Sequence, residues 1–129
     1  MNGRFLLDTN IVIALFKEEP DVLKSVAAAD ELFVPVVVIG ELHYGARKSG
    51  QIQLNISRIE DFEAVASVLS VDTATAEFYG VIKESLRAKG RPIPENDIWI
   101  AASARRHDLI LVTRDEHFAE IPDLKLVRW

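Results

Sequence analysis

Short apolar runs alternate with longer stretches of helical periodicity along this chain, and that alternation limits the architectures open to it more than any other feature. Apolar runs fall at residues 3–8, 32–35, 69–72, 109–113 and 124–128. Between the first two, Asp8-Thr9-Asn10 offers several N-cap residues for a helix reaching Lys17, and Pro20-Asp21 opens a second helix that ends near Ala29 and Asp30. Residues 36–48 are rich in Val and Ile and suit a strand as well. Glu41, Tyr44 and Lys48 recur at helical spacing there, however, and Ser49-Gly50 forms a stop, so a helix is expected. Leu54, Ile59, Phe62, Val65, Ala66 and Leu69 mark another helix over residues 51–68. A helix over 73–89 closes at Gly90 before the breaker string Arg91-Pro92-Ile93-Pro94. A helix over 95–107 and a helical turn over 116–119 complete the pattern. Strands separated by helices predict an α/β fold, a parallel sheet with helices on both faces. Right-handed crossovers would bring the strand ends to one edge.

Carboxylates gather where that sheet would present its strand ends. Asp8 closes the first apolar run, Asp115 follows Leu109-Ile110-Leu111-Val112-Thr113, Glu41 lies in the stretch after Val34-Pro35, and Asp97 lies near a helix start. Ligands of open α/β sheets bind outside the carboxyl ends of the strands. Acids crowded there repel unless a cation holds them, and an all-oxygen set suits Mg²⁺ or Mn²⁺. The residues therefore suggest metal-dependent phosphoryl transfer, most simply a nuclease.

Each acid also has a plainer explanation. Asp8 could cap the following helix, although Thr9 and Asn10 could do so instead, and Asn10 could then fix the Asp8 rotamer. Glu41 has Val37, Val38, Tyr44 and Gly45 at helical-neighbour positions. An ionised group there needs a distant partner, either a metal or a remote Arg. Asp97 is favoured by the helix dipole near an N-terminus, a role Glu95 or Asn96 could fill, and it precedes the apolar run Ile98-Trp99-Ile100-Ala101-Ala102. Thr113-Arg114-Asp115-Glu116 matches a capping box with Thr113 as cap; alternatively Thr113 positions Asp115 for a metal. His43, His107 and His117 lack zinc-like spacing and read as core or surface residues, and Trp99 reads as core. Among the basic clusters, Arg47 and Lys48 lie about two turns beyond Glu41, near enough to guide RNA.

Composition excludes several classes. With no cysteine there is neither a disulfide nor a thiolate zinc site, which is compatible with a reducing cytoplasm. The apolar N-terminal segment carries Asp8 and Asn10 and stops at Lys17-Glu18-Glu19, unlike a signal sequence or the roughly 20 apolar residues of a membrane span. A cytoplasmic protein without a membrane association is expected. The net charge of −5 is the awkward sign for a nucleic-acid binder, but 15 basic residues leave room for a local patch.

Four blocks taken in order carry a family resemblance: Phe5-Leu6-Leu7-Asp8-Thr9-Asn10, Gly40-Glu41-Leu42, Asn96-Asp97-Ile98-Trp99-Ile100-Ala101-Ala102 and Thr113-Arg114-Asp115-Glu116-His117-Phe118. Together they resemble a PIN domain, more narrowly the VapC-type toxins of toxin–antitoxin pairs, over essentially the whole chain. The resemblance implies a single PIN-like nuclease domain over residues 1–129, a three-layer α/β/α sandwich with a central parallel sheet. It also implies a Mg²⁺- or Mn²⁺-dependent endoribonuclease. Asp8, Glu41, Asp97 and Asp115 would form the acidic site, with Asp8 and Asp97 as direct metal ligands and Asn10 and Thr113 supporting it by hydrogen bonds. Such toxins form homodimers and are inhibited by a VapB-like antitoxin. An RNA-processing or DNA-directed PIN nuclease and a non-catalytic PIN-like binding module are the alternatives. Dehalogenase-type phosphatases expect a second Asp where Asn10 stands, and receiver modules expect paired acids after the first strand.

Overall fold

The computed structural model describes residues 3–129, so the first two positions of the expected domain lie outside the described residues. Five parallel strands form one sheet in the order β3-β2-β1-β4-β5, with β1 (Arg4–Leu7) at its centre. The chain builds outward from β1 through β2 (Glu31–Pro35) to β3 (Ser67–Leu69), then returns to the other side of β1 for β4 (Ile110–Val112) and β5 (Leu126–Val127). Strand order therefore reverses between β1 and β4, and an open α/β sheet has its crevice at such a reversal.

Among the described residues six α-helices flank the sheet: α1 (Thr9–Phe16), α2 (Pro20–Ala28), α3 (Val36–Lys48), α4 (Ile52–Val65), α5 (Thr73–Lys89) and α6 (Glu95–Arg106). The layered α/β architecture expected from the alternation is thus present. The ambiguous stretch after Pro35 is helical because Val38, Ile39, Leu42 and Ala46 recur on one face and are buried there. Tertiary burial outweighs the strand preference of its Val and Ile. The middle of helix α6 is buried through Ile98, Ile100, Ala101, Ala102, Ser103 and Ala104, and the small side chains of Ala101, Ala102, Ser103 and Ala104 let it lie deep beside the sheet.

Several boundaries move. The third strand occupies Ser67–Leu69 rather than 69–72, because α4 ends at Val65 and the register pairs Phe33 with Ser67 and Pro35 with Leu69. Asp72, expected in that strand, instead caps α5: its Oδ1 accepts from Thr75 N at 2.8 Å and Thr75 Oγ1 at 2.7 Å. The last strand contracts to the two residues that pair with Leu111 and Val112. Helix α5 ends as expected at Gly90, whose φ of 66° is the left-handed conformation glycine adopts at least cost. No helix among the described residues is long and apolar enough to cross a membrane.

Candidate active site

Leu6 and Leu7 of β1 are fully buried, and so are Leu111 and Val112 of β4 beside them. The ladder carries one residue further, Asp8 N donating to Val112 O at 3.0 Å, which delivers the Asp8 side chain to the crevice at the strand reversal. Only 5% of Asp8 is exposed. Its Oδ2 accepts from Thr113 Oγ1 at 2.7 Å and its Oδ1 from Thr9 N at 2.8 Å. Asp8 thus takes the cap position of α1 itself, which frees Thr9 and Asn10 for other work. Thr9 Oγ1 donates to Glu41 Oε1 at 2.7 Å, linking α1 to α3. Asn10 approaches Asp8 Oδ2 only at 3.5 Å and accepts from Arg114 N at 3.3 Å, so it braces the loop after β4 as much as Asp8.

Asp97 enters from the first turn of α6 and Asp115 from the loop after β4. Thr113 Oγ1 accepts from Asp115 N at 3.0 Å, and Asp115 Oδ1 accepts from His117 N at 3.3 Å. Asp115, not Thr113, is therefore the cap of the 3-10 turn Glu116–Glu120. The expected capping box is replaced by a chain of hydrogen bonds running from Asp8 through Thr113 to Asp115.

One cleft of about 550 Å³ has Asp8, Glu41, Asp97 and Asp115 on its walls. Burial pushes the Asp8 carboxyl above its ordinary value against the hydrogen bonds from Thr113 and Thr9, and the charges of Asp97 and Glu41 add to the rise. Burial likewise raises Asp97 against its contact with His117, with Asp115 and Glu41 contributing in the same direction. The four acids therefore act on one another as well as lining one space. Glu41 is only half-buried, so the full cost of burying an unpaired charge does not arise there, and Thr9 rather than a remote Arg is its partner.

His117 is the residue that sequence reasoning missed. Its Nε2 lies 2.5 Å from Asp97 Oδ2 and its Nδ1 2.9 Å from Asp115 Oδ1, so one ring spans both acids. The expectation of a mere core or surface histidine fails because the 3-10 turn folds it back onto its own cap. Its place two residues after Asp115 was the available signal, and zinc-type spacing was the wrong criterion for it. Ligand atoms of Asp97, Asp115 and His117 all lie within 4.8 Å of one another, a group able to hold a metal ion. Arg47 and Lys48 are exposed at the far end of α3 and do not line the cleft; Lys48 Nζ instead lies 4.5 Å from the centre of the Tyr44 ring. Trp99 is half-buried and stacked on Tyr79 at 4.0 Å.

Acidic side chains from four separate segments meet at the reversal of a parallel sheet, the arrangement the resemblance to a PIN domain leads one to expect. The chain belongs to that family, whose PIN domain matches residues 5–124. Among curated relatives it is 38% identical to "Ribonuclease VapC2" of Haemophilus influenzae, with 98% of each chain covered. It is 34% identical to "tRNA(fMet)-specific endonuclease VapC" of Shigella flexneri, again with 98% of each covered. Among solved structures it is similar to a chain of DNA-bound VapBC from Salmonella typhimurium, at a TM-score of 0.91, 29% identity and 98% coverage of both chains.

Proposed function

We propose that this chain is a divalent-cation-dependent endoribonuclease acting as the toxin of a VapBC-type toxin–antitoxin pair. The observation that carries the reading is the meeting of Asp8, Glu41, Asp97 and Asp115 in one cleft, where burial and then neighbouring acids raise Asp8 and Asp97 from their ordinary value. A close group of mutually repelling carboxylates, one buried and three half-buried, fits a cation, and an oxygen-rich set suits Mg²⁺ or Mn²⁺. Asp8 and Asp97 would hold it directly, with Glu41 and Asp115 completing the acidic wall. Bound there, the ion would lower the pKa of a coordinated water and offset charge developing on a phosphate.

The remaining work falls to the protein's own groups. Thr113 fixes the Asp8 carboxylate, and Thr9 fixes one oxygen of Glu41. Among the described residues Glu41 Oε2 has no hydrogen-bond partner, which leaves it able to take a proton from an attacking water. Nothing in this arrangement requires the ribose 2′-hydroxyl, so the products should carry 5′-phosphate and 3′-hydroxyl ends. The substrate class follows the relatives' names, and transfer RNA is the first RNA to try. A VapB-like antitoxin, a homodimeric state and a cytoplasmic setting belong to the same reading.

The test is incubation of the protein and its Asp97→Asn variant with total cellular RNA in Mg²⁺, Mn²⁺ or EDTA. Discrete cuts should appear only with metal and vanish in the variant. Cutting that survives EDTA, or products with 2′,3′-cyclic phosphate ends, would contradict the mechanism.

A further inference from the structure

A second hollow adjoins the acidic cleft and shares Thr9, Ile13 and Glu41 with it. It runs between α1, α3 and α4 and encloses about 300 Å³, the low end of the range for ligand clefts. Ile13, Phe16, Leu42 and Ile59 make its apolar lining, while Lys17 and Arg58 stand at its rim. Ile13 is 41% exposed although large and aliphatic, and it lines both spaces.

The charges at the rim point to one occupant. Among the described residues Arg4, Lys83, Arg87, Arg106, Arg114 and Lys125 are paired with carboxylates, and Lys17 and Arg58 belong to the unpaired remainder, set apart from the rest of it by their place on this hollow. Lys17 and Arg58 make no ion pair among the described residues, and Lys17 acts on Glu19 only through space. One Arg58 nitrogen, Nη1, donates to Asn55 Oδ1 at 3.4 Å, which steadies the guanidinium and leaves its other donors free. Arg58 also borders a hollow containing Glu18 and Asp61, so its field is moderated there but not neutralised by contact. An apolar floor with cations at its edge is the combination that takes a base and the phosphate beside it in single-stranded nucleic acid.

We propose that this groove is an RNA subsite: it seats the unpaired nucleotide next to the phosphodiester held at the acidic cleft, its base over Ile13 and Phe16 and its phosphate between Lys17 and Arg58. The proposal rests on the ribonuclease reading. It assigns strand guidance to the α1–α4 side of the site rather than to Arg47 and Lys48. Continuity with the cleft decides against remote patches, because a bound strand must run out of the site along a connected surface.

Filter retention of end-labelled transfer RNA over a salt series tests it, using Lys17→Ala, Arg58→Ala, the double variant and Lys125→Ala as a charge-matched control. Each single change should weaken retention about fivefold and flatten the dependence of log affinity on log salt by about 0.7. The double variant should lose more, Lys125→Ala should match wild type, and melting temperature and Mn²⁺ affinity should not move. In cleavage assays the same variants should raise KM more than they lower kcat. Wild-type retention and salt slope in the Lys17 and Arg58 variants would overturn the subsite and leave the ribonuclease reading standing. Loss of binding to a purified VapB-like protein with RNA retention intact would assign the groove to a protein instead and also overturn it. Absence of RNA retention by wild type would remove both readings.

Discussion

Asp8 must be ionised to hold a cation, in a place that disfavours ionisation. Burial is the largest influence on it, and the charges of Asp97 and Glu41 add to the rise. Carboxyls whose folded-state pKa is raised stabilise the fold when protonated and lose that contribution as pH rises through the folded-state value. The metal-free protein should therefore gain stability as pH falls from neutral toward the ordinary aspartate value of 3.8, and saturating Mn²⁺ should flatten that slope. Asp8→Asn removes the charge; its one acceptor oxygen can serve Thr9 N while its amide faces Thr113 Oγ1, which then accepts instead of donating. The variant should raise the melting temperature in EDTA by roughly 2–6 °C, on the scale of about 1 kcal/mol for a chain of this size, and abolish cleavage. A lower melting temperature would mean that Asp8 is structural first. His117 has a different signature, because its ring occupies oxygens of both Asp97 and Asp115. His117→Ala should lower the metal-free melting temperature and enlarge the increment Mn²⁺ produces, both read by thermal scans with and without the ion. An unchanged increment would show that the ring does not compete for those oxygens, and a smaller one that His117 is itself a ligand of the ion.

Elements explain which parts of the fold the sequence could disclose. The junction of α5 and α6 was legible because punctuation marks it, Gly90 closing α5 and Pro94 preceding α6, whereas Asp72, the cap of α5, read as the end of a strand. Between α4 and β3 no such mark exists. Val65, Ala66, Ser67, Val68 and Leu69 run on without a breaker, so the junction is set by pairing with β2, a contact the local sequence does not contain. The same holds for β5, whose length is whatever β4 offers it. Asp72 gives α5 a pH dependence opposite in sign to that of Asp8. Hydrogen bonds from Thr75 lower its carboxyl to about 2, so the cap contributes above the ordinary value of 3.8 and is lost as pH falls toward 2. Asp72→Asn retains capping ability without titrating. Its stability loss between about pH 4 and pH 2 should be smaller than that of wild type by thermal scans; parallel profiles would dismiss the cap as the cause. Gly90→Ala, forcing alanine into φ 66°, should cost about 1 kcal/mol in denaturant unfolding.

Across the whole molecule, the strand order places the site. Since β1 and β4 are neighbours although 100 or so residues separate them, Asp8 and the Thr113–Asp115 loop meet at the one reversal of the sheet. The helices that follow β2 and precede β4 bring Glu41 and Asp97 to the same place. Period and apolarity announced the strands, and the acids could be counted along the chain. That they share a cleft of about 550 Å³ is a property of the closed fold. The contacts of Thr9 with Glu41 and of His117 with two acids belong to the same long-range layer, which is why local reading gave those residues duller roles. The central claim is that carboxylates from four segments constitute one cation site. An equilibrium Mn²⁺ titration followed by electron paramagnetic resonance tests it most directly, on wild type, Asp8→Asn and Asp97→Asn. Saturable binding in wild type, lost in each variant while both remain folded, is the predicted result; binding of equal affinity in all three proteins would contradict it.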